Sequence, residues 1–410
     1  MIRPINKLDN YRYVFSDISL TSSNLKEPID IHLVRNLGII HDYDNAISPF
    51  MMITVAVSPS SYNSIIENMD TLKFKMNIGK ILISSNSTNK DNIHQVKKYI
   101  SIDGKVTIKD PINTYDMGTI AINKNETDKK SIRIDSQFST FTFYVYDNEA
   151  INKYRTCHSY IIQGGMNDVL YRILADRSFK NILMSNCSNN TYDEYIIPYG
   201  NLGKNLEDLN KYYGIYENNY LFYMDTNTTY LINKSAVGSI LNSKEYGSVN
   251  IYLESLSNPA ELSTGSYSDN VNRLYILNGM NFVVHDNDST IEYYNAGKIT
   301  SIINGEKTSQ TDVFGKFDVE RAFVFDNKYQ RTQIISKIKE DKKYIGIELE
   351  NIDLNIITPN KEYNVILDES YSQRYDISGK YRLCKSNIIF ENIGDNDTDV
   401  TIQIGLKKIN

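Results

Sequence analysis

The chain has 410 residues, of which 41% are hydrophobic and 23% charged, and its formal net charge is −6. This length predicts about two or three domains with real cores, and the composition excludes long disordered tracts. Basic residues occur at most in pairs, which excludes the clustered cations of a tight nucleic-acid binder. Because no apolar run reaches the roughly 18 residues that cross a bilayer, we expect no stable membrane association.

The first third of the chain predicts an amino-terminal β-barrel-like domain, residues 1–149. Ser61–Asp70 predicts a short helix that covers one end of the barrel, because its apolar residues follow helical spacing. The next segment alternates apolar and polar residues, as does a strand with one solvated face. Its apolar residues are Leu72, Phe74, Met76 and Ile78.

Asp103-Gly104 predicts a tight hairpin turn, because this dipeptide suits a two-residue connection between antiparallel strands. The predicted strands are Tyr99–Ile102 and Lys105–Ile108. Further apolar residues continue the alternation beyond them: Ile132, Ile134, Phe141, Phe143 and Val145.

In residues 150–245, segments with helical spacing occur beside strand-like segments, which predicts a mixed α/β region. Asn167–Asp176 predicts a helix with one apolar face, formed by Val169, Leu170, Ile173 and Leu174. Asn205 resembles an N-cap, since Glu207 and Asp208 follow it as acidic first-turn residues. Tyr220–Asp225 and Thr229–Asn233 then predict an aromatic hairpin around the polar turn Thr226-Asn227-Thr228.

Residues 246–410 predict a second, carboxyl-terminal β-rich domain. Alternation at Ile345, Ile347 and Leu349 slips by one residue at Ile352, Leu354 and Ile356, which indicates a bulge or a bend. Asp399–Lys408 alternates again, and we expect it to pair with Tyr381–Phe390. The predicted fold class is mainly β with α+β insertions: two β-barrel-like domains and a mixed α/β middle region.

Candidate metal ligands occur twice, as His41-Asp42 with Asp44 and as His285-Asp286 with Asp288. Neither set has the spacing of a known metal motif, and Asp-rich loops are ordinarily solvated turns. The three cysteines are odd in number and far apart, which argues against a disulfide framework. We predict no metal site.

No residue pattern indicates catalysis. Cys157-His158 are sequence neighbours, which is a poor geometry for a thiolate–imidazole pair. Gly164-Gly165 lacks the spacing of a phosphate-binding loop and predicts a tight turn before a helix. No pair of carboxylates stands out as a glycosidase pair, and Trp, the usual platform for sugars, is absent. We therefore predict no catalytic residue, no cofactor and no enzymatic activity.

The aromatic hairpin is the candidate subunit interface. Aromatic residues are enriched both at interfaces and in cores, so plain core packing is the alternative interpretation. The candidate interface residues are Tyr216, Tyr220, Phe222 and Tyr230.

Three stretches resemble the baseplate hub proteins of contractile-tailed bacteriophages, which are related to the base of type VI secretion spikes. The first is Asp30–Ile81, with a strand, a short helix and a second strand. The second is the helix Asn167–Asp176 followed by Leu209–Asn233. The third joins Ile357–Tyr363 with Gly379–Leu383 and the terminal strand.

This resemblance implies a homotrimer in which each subunit contributes two similar barrel-like domains to a ring of near six-fold symmetry. Such a ring joins the central spike to the tail tube and leaves a channel for DNA, with other baseplate proteins around it. It implies a virion protein of the tail baseplate that assembles in the host cytoplasm. The alternatives are a tube initiator or distal-tail ring, a virion-associated cell-wall hydrolase, and a receptor-binding protein.

Overall fold

The computed structural model describes most of the chain. The described residues are 10–83, 97–107, 139–187, 191–216, 219–225, 228–237, 248–254, 272–278, 282–286, 298–313, 320–332, 335, 343–350, 354, 357–367, 378–391, 393 and 398–409. The predicted strand residues Ile132 and Ile134 lie outside the described residues. So do Ile352 and Ile356, two of the three residues that define the predicted phase slip.

The amino-terminal region is an antiparallel sheet. Its strands are β1 (Asn10–Ser22), β2 (Leu33–Asp42), β3 (Phe50–Val57), β4 (Leu72–Ile83), β5 (Lys97–Thr107) and β6 (Ser139–Tyr146), and they lie in the order β1-β4-β5-β6-β3-β2. One side of this sheet forms a core. The predicted alternation in β4 is confirmed, because its four apolar residues are fully buried: Leu72, Phe74, Met76 and Ile78.

Helix α1 (Pro59–Glu67) and a 3₁₀ turn (Met69–Thr71) connect β3 to β4, which confirms the predicted short helix. The Ser58 hydroxyl accepts a hydrogen bond from the Ser61 backbone N–H, and Pro59 occupies the first turn, where its missing N–H is no loss. Ile65 is buried against the sheet, whereas Ile66 faces solvent.

The predicted hairpin turn at Asp103-Gly104 is wrong. Both residues lie inside β5, where Asp103 pairs with Lys75 and Gly104 with Phe74. Immediately beyond Gly104, β5 also pairs with β6, so the glycine stands where three strands crowd together. A Cβ atom there would overlap the carbonyl oxygen of Tyr146. Glycine is needed here for close backbone approach rather than for a turn.

The middle region packs helices on small sheets. Its elements are α2 (Asn148–Arg155), β7 (His158–Gly165), α3 (Met166–Asp176), β8 (Ile182–Met184), β9 (Thr191–Gly200), α4 (Leu202–Tyr212), β10 (Tyr220–Asp225) and β11 (Thr228–Asn233). Strands β7 and β9 form an antiparallel ribbon, and β10, β11 and β8 form a three-stranded sheet. The predicted helix over 167–176 and the aromatic hairpin are confirmed.

The predicted N-cap at Asn205 is wrong, because α4 begins one turn earlier. The Asn201 side chain accepts from the Lys204 N–H and caps the helix. Asn205 is instead fully buried inside the helix. Its amide accepts a hydrogen bond from Arg177 and donates to the carbonyl oxygen of Pro198. It therefore ties α4 to β9, a role that sequence spacing alone does not indicate.

Strands return in the carboxyl-terminal region. They are β12 (Ser248–Glu254), β13 (Asn272–Asn278), β14 (Phe282–Asp286), β15 (Lys298–Ile303), β16 (Glu306–Val313), β17 (Glu320–Phe325), β18 (Lys343–Glu350), β19 (Glu362–Leu367), β20 (Gly379–Glu391) and β21 (Asp399–Lys408). The expected pairing of β20 with β21 is confirmed.

Strand β20 joins the two ends of the chain. Its first part pairs with β19, its second part pairs with β2, and β21 runs along its other edge. The amino- and carboxyl-terminal regions therefore share one 13-stranded sheet. The mainly β fold is confirmed, whereas the domain boundaries after residues 149 and 245 remain predictions.

Gly104→Ala is expected to lower the free energy of unfolding by about 1–3 kcal/mol, because the added methyl group overpacks the junction of β4, β5 and β6. Urea denaturation measures this change. Gly38→Ala in β2 is the matched control, since a Cβ atom there meets nothing closer than 3.7 Å. Equal stability of the two variants would contradict the packing explanation.

Candidate functional site: an aromatic hairpin beside a buried ion cluster

The hairpin of β10 and β11 has two buried faces. Leu221 and Tyr223 point into the core of the large sheet, whereas Phe222 and Met224 belong to the core of the middle region. The register pairs Phe222 with Leu231 and Tyr223 with Tyr230. Because successive strand residues face opposite sides, both faces of this hairpin are apolar. The hairpin is thus a wall between the two cores.

The four candidate interface residues all have partners inside the chain. Tyr216 and Tyr230 are buried, and the Tyr216 hydroxyl donates to the carbonyl oxygen of Leu231 at 2.9 Å. Burial raises the pKa of Tyr216, with Cys187 nearby adding to the shift, so its hydroxyl stays protonated. Tyr220 and Phe222 are half-buried. A subunit contact remains our prediction, and it falls on these two residues.

Aromatic packing holds the outer part of the hairpin in place. The Phe222 ring stacks with Tyr154 at 6.0 Å between centroids and meets Phe179 edge-on at 5.9 Å. Tyr154 belongs to α2 and Phe179 follows α3, so one side chain of the hairpin contacts both helical segments. Such aromatic pairs add to the energy of area burial alone.

On its other face the hairpin contacts the first metal candidate. The Tyr223 hydroxyl lies 3.0 Å from Nδ1 of His41, and its ring meets that of Tyr43 edge-on at 4.5 Å. Burial lowers the pKa of His41, although Asp225 opposes this shift. Among the described residues, no group of three or more His, Cys, Asp and Glu side chains is arranged to hold a metal ion.

Asp44 is the centre of a buried ion cluster that the sequence did not reveal. Arg382 donates to both carboxylate oxygens, at 2.8 and 3.0 Å. Lys407 lies 3.1 Å and Lys234 3.3 Å from the same carboxylate. The guanidinium fork matches the carboxylate with two parallel hydrogen bonds, which gives this pair a fixed geometry.

The cluster draws on four distant segments of the chain. Asp44 follows β2, Lys234 follows β11, and Arg382 and Lys407 lie in β20 and β21. Asp42 shapes the loop, because its carboxylate accepts hydrogen bonds from the backbone N–H groups of Asp44 and Asn45. The loop of the first metal candidate, which contains Asp42 and Asp44, is therefore a structural turn around an ion pair.

Burial alone would raise the pKa of Asp44, but its cations outweigh this effect. Arg382 contributes most, followed by Lys234 and Lys407, and together they hold the pKa well below its usual value. Asp44 therefore stays ionised, and its charge is part of the folded structure.

Gly164 and Gly165 lie where β7 ends and α3 begins. Gly164 has a positive φ of 128°, and Gly165 is the N-cap residue of α3. The predicted tight turn is wrong, because both glycines pair with β9 as the last residues of β7 and α3 begins directly at Met166. The second metal candidate begins in β14, where His285 is opposite Tyr344, while Asp288 lies outside the described residues.

One family model, that of the bacteriophage PBS1 gene 109 protein, matches residues 7–409. The chain belongs to this bacteriophage protein family. No curated relative matches the sequence. The resemblance to phage tail proteins that the sequence predicts agrees with this membership, and the solved structures extend it to the fold.

The fold is that of a known tail protein. The tail protein from Neisseria meningitidis MC58 superposes with a TM-score of 0.52 at 9% identity, over 97% of this chain and 96% of that one. The 43 kDa tail protein of prophage MuSo2 from Shewanella oneidensis gives 0.48 at 10% identity, over 95% and 97%. The Francisella PdpA–VgrG complex gives 0.44 at 12% identity, over 98% and 53%. The family match and the first of these structures confirm the predicted resemblance to phage tail proteins. None of the described helices is long and apolar enough to span a membrane.

The three cysteines differ in exposure, which predicts their reactivity. Cys157 is exposed, whereas burial raises the pKa of both Cys187 and Cys384 to about 12. The thiolate is the reactive form of cysteine. We therefore expect dithiobis(nitrobenzoate) to modify one thiol per chain rapidly in the native protein, and all three thiols after denaturation. Cys157→Ser should abolish the rapid phase. A rapid phase that survives in this variant would contradict the assignment.

Asp44→Asn is expected to lower the free energy of unfolding by about 3–5 kcal/mol, because it removes the carboxylate charge that pairs with the buried Arg382. Urea denaturation measures the loss. Glu362→Gln is the control, since its partner Lys380 is largely exposed and such a pair contributes about 0–1 kcal/mol. A loss no greater than that of the control would contradict the central place of Asp44.

His41 and Asp44 together predict that acid destabilises the protein in two stages. Unfolded His41 takes up a proton near pH 6.5, before the folded residue does, so stability decreases as the pH falls below about 6.5. Asp44 contributes fully above about pH 5, and its contribution is lost as the pH falls further. Asp44→Asn should keep the first stage and reduce the second in urea titrations across this range.

Proposed function

We propose that the chain is a structural protein of a bacteriophage tail, and specifically its baseplate hub. Three subunits form a ring of near six-fold symmetry that joins the central spike to the tail tube and leaves a channel for DNA. The observation that carries this proposal is the tail-protein fold, which extends over 97% of a chain that belongs to a bacteriophage family.

The sheet architecture supports a ring. An amino-terminal and a carboxyl-terminal set of strands share one curved sheet through β2 and β20. A subunit with β-rich regions at both ends can place two of them on a ring, so three subunits supply six. A closed ring of repeated head-to-tail contacts also avoids open-ended fibres.

The charge distribution supports a channel. The net charge of −6 is mild, and lysines and arginines are dispersed along the sequence. A conduit for DNA must not bind phosphates tightly, and a mildly acidic chain whose basic residues occur at most in pairs along the sequence is compatible with this requirement. The proposed partners are two further copies of the chain, the tail spike, the tail tube and other baseplate proteins, with DNA as cargo only. The proposed location is the virion tail, after assembly in the host cytoplasm, and no enzymatic activity is proposed.

Negative-stain electron microscopy and native mass spectrometry test this proposal directly. A trimer that appears as a hollow ring is the expected result. A six-fold ring would instead indicate a tube initiator or a distal-tail ring. A monomer that degrades peptidoglycan would contradict the proposal and indicate a hydrolase, and a monomer that binds cell-surface sugars would indicate a receptor-binding protein.

Tyr220→Asp tests the interface assignment within the same assay. The new charge on a half-buried position of the hairpin is expected to convert trimers to monomers. Tyr212→Asp is the control, because Tyr212 is 54% exposed at the end of α4 and lies outside the hairpin. Thermal melting followed by circular dichroism checks that both variants fold. A folded Tyr220→Asp protein that forms normal rings would discard the interface.

A further inference from the structure

The antiparallel ribbon of β7 and β9 carries a pair of exposed apolar side chains. Ile161 is 72% and Ile196 59% exposed, and the two residues lie directly opposite each other. The backbone N–H of Ile196 donates to the Tyr213 hydroxyl at 3.1 Å, so it points away from β7. In such a non-hydrogen-bonded pair the side chains are at their closest, which makes the two isoleucines one continuous apolar surface.

A bulge in β9 brings Tyr199 onto the same face. The register of the ribbon shifts by one residue here, so Pro198 and Tyr199 share the position opposite Ser159. Because the alternation of side chains slips at the bulge, Tyr199 faces the same side as Ile196. Tyr199 is 75% exposed. Together with Ile161 and Ile196 it forms what we call the ribbon patch.

A second bulge gives this face an acidic end. Asp193 and Glu194 share the position opposite Gln163, and both are exposed. The Gln163 amide donates to the Glu194 carboxylate at 3.2 Å, as expected for side chains on one face. Among the described residues, no cation lies within 4 Å of either carboxylate. The outer face of the ribbon is thus apolar at one end and acidic at the other.

The backbone along the outer edge of β7 is open to a further strand. Because Ile161 and Ile196 form a non-hydrogen-bonded pair, the N–H and C=O of Ile161 point to the edge of β7 that lies away from β9. Within the part of the chain that the structure describes, β7 pairs with β9 and with no other strand. Strand β9 differs, since the Tyr213 side chain occupies its outer edge at Ile196. An added strand would therefore pair with β7.

The area of the ribbon patch fits a short segment better than a second subunit. At roughly 150–200 Å² for each fully exposed side chain, its three residues expose on the order of 350 Å². A standard specific interface buries about 800 Å² on each partner, which is more than twice this area. A second copy would also bring its own net charge of −6 to the acidic end. Both considerations favour a short apolar and basic segment of another protein.

We propose that the ribbon patch binds an extended segment of a partner protein, which adds to the edge of β7 as a third strand. An apolar side chain of this segment packs on Ile161, and a basic side chain two residues away pairs with Glu194. Side chains two residues apart lie on one face of a strand, so this order matches the two ends of the ribbon. Main-chain hydrogen bonds supply affinity in strand addition, and alternate side chains supply specificity. The proposal goes beyond the hub assembly and does not depend on it.

Isothermal titration of the full-length protein with the peptide acetyl-Thr-Ile-Thr-Arg-Thr-amide tests this proposal. The wild-type protein is expected to bind it. Ile161→Thr keeps a β-branched side chain and should weaken binding about three- to tenfold, because apolar contact is lost. Val324→Thr is the matched control, since Val324 is 75% exposed in β17, which belongs to a different sheet. Its affinity should equal that of the wild type.

Charge reversal tests the acidic end of the ribbon. Glu194→Lys should weaken the binding of the arginine peptide about two- to fivefold, the range expected for an exposed ion pair. Acetyl-Thr-Ile-Thr-Glu-Thr-amide should show the opposite preference and bind Glu194→Lys more tightly than the wild type. Both substituted residues are exposed, so we expect the variants to fold, and circular dichroism checks this.

N-methylated peptides test the added strand itself. Every second amide of such a strand faces β7, so methylation of one alternate set of amides should abolish binding and methylation of the other set should leave it unchanged. Acetyl-Ile-Thr-Thr-Arg-Thr-amide places its apolar and basic side chains on opposite faces and should bind more weakly than the parent peptide.

The proposal is overturned if folded Ile161→Thr and Glu194→Lys proteins bind the arginine peptide as the wild type does, or if the wild type shows no binding at millimolar peptide. Equal binding of the two methylated peptides would also overturn it. If Ile161→Thr instead converts an oligomer to monomers, the ribbon patch is a contact between copies and the proposal is wrong. Electron microscopy of the wild type reports on the ring separately, so the two proposals fail separately.

Discussion

One carboxylate, that of Asp44 in the amino-terminal region, meets cations from the middle and the carboxyl-terminal regions of the chain. Arg382 is 338 residues away in sequence, yet its guanidinium binds both oxygens of Asp44. Lys234 comes from the end of the aromatic hairpin and Lys407 from the last strand. A buried ion pair of this kind stabilises little relative to an apolar replacement, but it strongly penalises any arrangement in which the partners separate. We infer that this cluster fixes how the loop after β2 sits on β20 and β21.

The aromatic hairpin is linked to this ion cluster, because Lys234 directly follows β11. Its two faces belong to different cores, with Tyr223 on the side of the large sheet and Phe222 on the side of the helices. Its abundance of aromatic residues therefore has a packing explanation within a single subunit. A cavity of about 560 Å³ lies beside the hairpin, with Tyr220, Phe222 and Lys234 among its lining residues.

Local patterns predicted the strands and helices well, whereas close approaches between distant segments escaped them. The alternation in β4 and in β21 reflects one buried face, and that information is local. Gly104 resembles a turn glycine in the sequence, because the crowding by Tyr146 that demands glycine comes from a strand far along the chain. Asp44 appeared as a possible metal ligand, since its acidic neighbours are visible in sequence and Arg382 is not. Pairing between remote residues is a property of the fold, and no spacing rule encodes it.

Strand β20 has a mechanical consequence. One edge of β20 is hydrogen-bonded to β21, and the other edge is hydrogen-bonded first to β19 and then to β2. Strand β20 therefore connects the amino-terminal half of the sheet, which contains β2, to the carboxyl-terminal half, which contains β19. A load that pulls these halves apart along the strand direction acts on many hydrogen bonds at once, in shear, rather than opening them one after another. A sheet joined in this way resists separation of its two halves along the strand direction.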